Sequence, residues 1–117
     1  MTTDLRLTAD DLGGPLGPRA TLVQFSSTFC APCRATRRVL ERLVATDHGV
    51  AHVELDVADR GDLGERLDVT VTPTVLVLDR DGVLVQRASG APSLAQARAA
   101  VARAAAVADD SRPVRRG

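Results

Sequence analysis

The sequence contains no Lys, Asn, Ile, Trp or Tyr, and only two cysteines among its 117 residues. It also lacks net charge. Fifteen basic and fifteen acidic residues cancel, so no bulk field draws the chain to nucleic acid or to an anionic membrane surface. With Lys missing, Arg supplies every strong base, a bias expected of GC-rich coding in a bacterial source rather than of function. Long apolar runs are absent too: runs such as residues 74–78, with its Thr counted, fall far short of the roughly 20 residues that span a bilayer. The opening MTTDLRLTADDL carries acids from Asp4 onward and no apolar stretch, so it does not read as a secretory signal. A cytoplasmic location is therefore expected. Thiols are held reduced there, which makes a close cysteine pair catalytic or metal-binding before it is a structural staple.

What is present reads as one globular domain. Apolar residues make up 44% and charged residues 26%, at a length that builds one core and is too short for two. The segment GGPLGP, residues 13–18, breaks any helix begun at Asp10, and TLVQF, residues 21–25, is a β-prone run. From Arg34 onward Val39, Leu40, Leu43 and Val44 recur at helical spacing, with Arg37, Arg38, Glu41 and Arg42 on the other face. This predicts a helix from Ala31 or Pro32 to Asp47, with Pro32 in the first turn and Gly49 as C-terminal cap. Residues 50–57, VAHVELDV, alternate like a strand; residues 63–67 predict a short helix, and strand character resumes at Val69. The turn Asp79-Arg80-Asp81-Gly82 joins residues 75–78 to 83–87 as an antiparallel hairpin. Ser93 and Gln96 form a capping box that opens an Ala-rich helix to about Val107. The order β-α-β-α-β-β-α makes an α/β fold, a central mixed sheet flanked by helices, over residues 1–108. Residues 109–117, DDSRPVRRG, are expected to be a disordered basic tail. Its arginines follow Asp109 and Asp110 with no interleaved aromatics, so nucleic acid is not an expected partner.

The two cysteines stand in TFCAPCR, and three uses of that spacing compete. Cys30-x2-Cys33-x14-His48-x3-His52 fits the spacing of two-Cys, two-His zinc sites. The intervening residues read as helix, however, which at 1.5 Å per residue puts His48 roughly 20 Å from Cys33, too far for one zinc. No metal is expected. As a staple, a loop of about four residues contributes only about 2 kcal/mol. A redox pair accounts for more of the context: Cys30 precedes a helix whose N–H groups favour thiolate over thiol, Arg34 adds positive charge, and Cys33 lies one turn on.

Cys-Ala-Pro-Cys between a β-run and a helix, with Thr72-Pro73 forty residues downstream, resembles the thioredoxin family. The resemblance runs from about Leu5 to Val107 and includes LVQF before the pair, LDV at 55–57, the DG turn, and GAPS at 90–93. It implies a thioredoxin fold and a thiol–disulfide oxidoreductase that reduces protein disulfides. By that resemblance Cys30 is the attacking thiol, Cys33 the buried resolving thiol, and Pro73 a cis proline facing them. The backbone of Thr72 pairs with an extended substrate, and Phe29, Ala31, Pro32, Gly90 and Ala91 complete the docking surface.

Three departures stand out. Gln24 replaces a buried Asp that helps take the proton from the resolving thiol, and a neutral amide cannot accept it in the same way. His52 is read as occupying the place of a Lys that pairs with that Asp, and as a candidate base. Ser26 and Phe29 hold positions that are commonly Trp, Phe29 keeping a hydrophobic contact beside the thiol. No nucleotide, flavin or metal motif is present, so no cofactor is expected and the electrons arrive from an upstream disulfide reductase; the chain is expected to be a monomer. A thioredoxin-fold binding or redox-sensing module with little turnover is the competing reading. An oxidant or isomerase is disfavoured by Ala-Pro between the cysteines.

Overall fold

The computed structural model describes residues 5–111, with side chains through residue 106. The chain runs α1 (Ala9–Leu12), β1 (Ala20–Ser26), α2 (Ala31–Thr46), β2 (Val50–Asp56), α3 (Gly61–Arg66), β3 (Thr74–Asp79), β4 (Leu84–Ser89) and α4 (Leu94–Ser111). The sheet order is β2-β1-β3-β4, with β2 parallel to β1 and the other pairs antiparallel. This is the expected mixed α/β sheet, preceded by a helical turn, α1, that was not expected. Thr8 and Asp11 form a reciprocal capping box at its start, and Gly13 ends it before the first proline.

Period-2 alternation on β1 feeds two cores. Ala20 and Leu22 meet Leu40 and Leu43 of α2 and Ala97, Ala100 and Val101 of α4. Val23 and Phe25 point the other way, onto Leu7, Leu12, Leu63 and Leu67. Gln24 shares the face of Leu22, so the alternation itself sends an amide under α2.

Three details differ from expectation. Helix α2 ends at Thr46 with Asp47 as cap, one turn's geometry short of Gly49. Gly49 answers a different demand: a Cβ there would stand 2.8 Å from Cβ of Arg19, whose backbone N–H bonds the Gly49 carbonyl at 2.8 Å. The strand expected from Val69 begins only at Thr74. Asp68 is left-handed at φ 59, and the Val69 N–H turns back to the Gly64 carbonyl at 2.8 Å, closing α3 instead of entering the sheet. The last helix opens with the reciprocal Ser93/Gln96 bonds, at 2.9 and 3.1 Å, and continues to Ser111 rather than stopping near Val107. Residues 112–117 of the expected tail lie outside the described residues.

Candidate functional site

Cys30 is the N-cap of α2, in extended conformation at φ −115 and ψ 99. Its Sγ accepts the Cys33 backbone N–H at 3.2 Å, and its carbonyl accepts those of Cys33 and Arg34 at 3.1 and 3.2 Å. One backbone donor of the helix start is thus turned onto the sulfur. Pro32, in the first turn, gives up an N–H that would have had no partner. Cys30 and Cys33 are joined as a disulfide, with Cα atoms 5.2 Å apart. Cys33 is 1% exposed, while Cys30 keeps partial access to solvent. Both line a cleft of about 390 Å³ whose walls include Ser26, Arg34, Arg37 and Glu54.

Side chains and backbone tie the flanking loops together. Ser27 Oγ and Thr72 Oγ1 lie 2.8 Å apart, which joins the loop before Cys30 to the loop before β3. The Thr72–Pro73 bond is cis, and the Pro73 carbonyl accepts the Gly90 N–H at 2.8 Å. Gly90 has φ 89, a left-handed conformation that side chains resist, with open space where a Cβ would go. Ala91 beside it is exposed. Among the described residues the exposed large apolar side chains are Phe29, 96% exposed, and Val71. One precedes the disulfide and the other precedes Thr72-Pro73. Phe29 at φ 59 holds a strained backbone conformation for an aromatic residue.

Behind the cysteines lies a buried polar network. The Gln24 Nε2 donates to the Cys33 carbonyl at 2.8 Å and to Ser26 Oγ at 2.9 Å, with Glu54 Oε2 further off at 3.4 Å. Because a carbonyl only accepts, that bond sets the orientation of the amide. Gln24 Oε1 therefore faces His52 Nε2 at 3.0 Å and requires His52 to carry its proton there. Ser26 Oγ donates to Glu54 Oε2 at 2.7 Å, and Arg37 grips Glu54 with two bonds, at 2.6 and 2.9 Å. The Arg37 guanidinium, with Ser26, holds the Glu54 carboxyl below its ordinary range against a smaller opposing effect of burial. Burial pushes His52 below its ordinary value, opposed by the nearby Glu54 and Glu41 charges.

The family description that matches this chain, over residues 17–103, is thioredoxin. The chain belongs to the thioredoxin family. The thioredoxin of Staphylococcus aureus is 31% identical over 87 residues, 74% of this chain and 83% of that protein. Mitochondrial thioredoxin-3 of Saccharomyces cerevisiae is 33% identical over 70 residues, 60% of this chain but only 54% of its own, so the chain spans about half the length of that curated relative. The X-ray structure of Fasciola hepatica thioredoxin superposes with a TM-score of 0.66 at 29% identity, covering 74% of this chain and 82% of that one.

One expectation drawn from the thioredoxin resemblance changes in the structure, that for Phe29. His52 meets the Gln24 amide at 3.0 Å, in keeping with the pairing the resemblance implied, although strand register sets it opposite Leu22 and sets Glu54 opposite Gln24. Phe29 keeps no packing beside the thiol, since nearly all of its surface is in solvent. Arg34, as expected, shares the cleft with both cysteines. Arg37, Glu54 and Val71 join the site without a local signal of their own in the sequence, and Ser26, noted there only as standing in place of Trp, joins through its bond to Glu54.

Acid should weaken this thioredoxin-family fold through the same network. The folded protein resists protonation of His52 and Glu54 more than the unfolded chain does, so the stability they confer is complete above the unfolded values, 6.5 and 4.5. It is lost as pH falls below each in turn. Urea denaturation at roughly pH 7.5 and 5.5 should show a lower midpoint at the acid value, and His52→Gln, which keeps a donor for Gln24 Oε1, should flatten that difference. An unchanged slope in the variant would remove His52 from the account.

Proposed function

We propose that this chain is a thiol–disulfide oxidoreductase that reduces protein disulfides through Cys30 and Cys33. The observation that carries the reading is the Cys30 sulfur seated at the start of α2 with a helix N–H on it and a buried, bonded partner one turn on. Reduced Cys30, as thiolate, attacks one sulfur of the substrate disulfide; a mixed disulfide forms and the other substrate sulfur leaves as thiolate. Cys33 then gives up its proton and attacks Cys30 Sγ, forming the Cys30–Cys33 bond and releasing the second substrate sulfur. The substrate gains two electrons and the pair loses them. A second protein, a disulfide reductase, returns the electrons, with no cofactor in this chain.

An extended substrate would pair with the Thr72 backbone and lie among Phe29, Val71, Gly90 and Ala91. Ala31 and Pro32 form the lip beside Cys30. We further propose a cytoplasmic location, a bacterial source and a monomeric state. Among the described residues no helix is long and apolar enough to cross a membrane. The reduction potential tests the direction of the chemistry. Equilibration with dithiothreitol should give a value near roughly −270 mV, whereas one near −120 mV would make the protein an oxidant. A second reading, a redox-sensing module with little turnover, is favoured by the amide at Gln24, which offers Cys33 no ionisable acceptor.

A further inference from the structure

Helix α2 carries more positive charge than its own folding asks for. Arg34, Arg38 and Arg42 recur at every fourth position and all three are exposed. They lie on one stripe of the helix, each about 6 Å from the next along the axis. Like charges at this spacing oppose helix formation, and the first turn, where the helix dipole is itself positive, contains no acid. None of the three is among the ion pairs or side-chain hydrogen bonds of the described residues, whereas Arg37 on the neighbouring row is bound to Glu54. Glu41 is the one acid within α2, and its field falls on Arg37 and His52, the side facing β2, while Glu54 and Asp56 line the cleft that Arg34 shares.

The stripe is continuous with the redox site. Arg34 lines the cleft shared with Cys30 and Cys33, and the exposed ring of Phe29 stands just before it. We infer that Arg34, Arg38 and Arg42 form a docking rail for an acidic segment of a protein substrate, the segment that flanks the disulfide delivered to Cys30. This rests on the oxidoreductase reading. From Cys30 to Arg42 is about 18 Å along the helix, the length of five or six extended residues, so the partner's Asp or Glu residues should fall within about six positions of its cysteine. Each arginine lies closer to its neighbour on the stripe than a Debye length of about 8–10 Å, so neighbours act jointly on such a segment and lose that action in high salt.

The test uses synthetic cystine peptides with Glu, Gln or Lys at those flanking positions, turned over by the full chain with dithiothreitol. The Glu peptide should react about tenfold faster than the Gln peptide at low salt, the Lys peptide should be slowest, and the three should converge near about 0.5 M salt. Arg38→Gln with Arg42→Gln should abolish the preference while leaving the Gln peptide's rate unchanged. Equal rates at low salt, or a preference that survives the double substitution, overturns the rail and leaves the oxidoreductase reading intact. No turnover of any peptide overturns both. Retention of the protein on a single-stranded RNA oligonucleotide, lost with the same two substitutions, would assign the stripe to nucleic acid and overturn it as well.

Discussion

Replacing Cys33 with Ser should stop the cycle halfway. Cys30 would still attack, but nothing one turn away could displace it, so a covalent mixed disulfide with the substrate accumulates. Turnover should fall by about a hundredfold or more, because an attack within the chain is replaced by chance collision with a free thiol. The adduct should appear as a mass increase on a non-reducing gel and vanish with dithiothreitol. The geometry makes the asymmetry sharp: Cys33 is 1% exposed and cannot readily meet a bulky disulfide, while Cys30 retains solvent access. Cys30→Ser should therefore form no adduct. Trapping by Cys30→Ser and not by Cys33→Ser would reverse the assigned roles.

The second large effect is expected at Gln24. Its side chain is fully buried and bonds the Cys33 carbonyl, Ser26 and His52. Gln24→Leu keeps roughly the same volume and removes all three bonds, leaving those partners to face an apolar side chain. An abandoned buried polar group costs about 1–3 kcal/mol, so a loss of about 2–4 kcal/mol is expected from urea denaturation. That is a large part of the usual stability of a small domain. A loss below about 0.5 kcal/mol would show that the network does not brace the cysteine turn.

What could be read from the residues and what could not divides along physical lines. The cysteine turn, the Asp79-to-Gly82 turn and the Ser93/Gln96 box are local signals, complete within a few residues, and the structure places them as expected. The network behind Cys33 is not local. Alternation along VAHVELDV shows that His52 and Glu54 share a face, but a period of two cannot say which stands opposite Gln24. Only the β1–β2 register, Gln24 against Glu54, decides it. Arg37 was legible as a polar helix residue and not as the clamp on that carboxylate. Gly49 was legible as a glycine near a helix end, while the contact that demands it comes from Arg19. Likewise the β-prone residues after Asp68 stay out of the sheet because a backbone bond to Gly64 claims Val69 first.

Catalytic turnover tests the account most directly. Dithiothreitol-driven reduction of insulin disulfides should run well above the background rate with the full chain and return to background with Cys30→Ser. A rate indistinguishable from background with the unsubstituted chain, its Cys30–Cys33 pair fully reduced at the start, would contradict it.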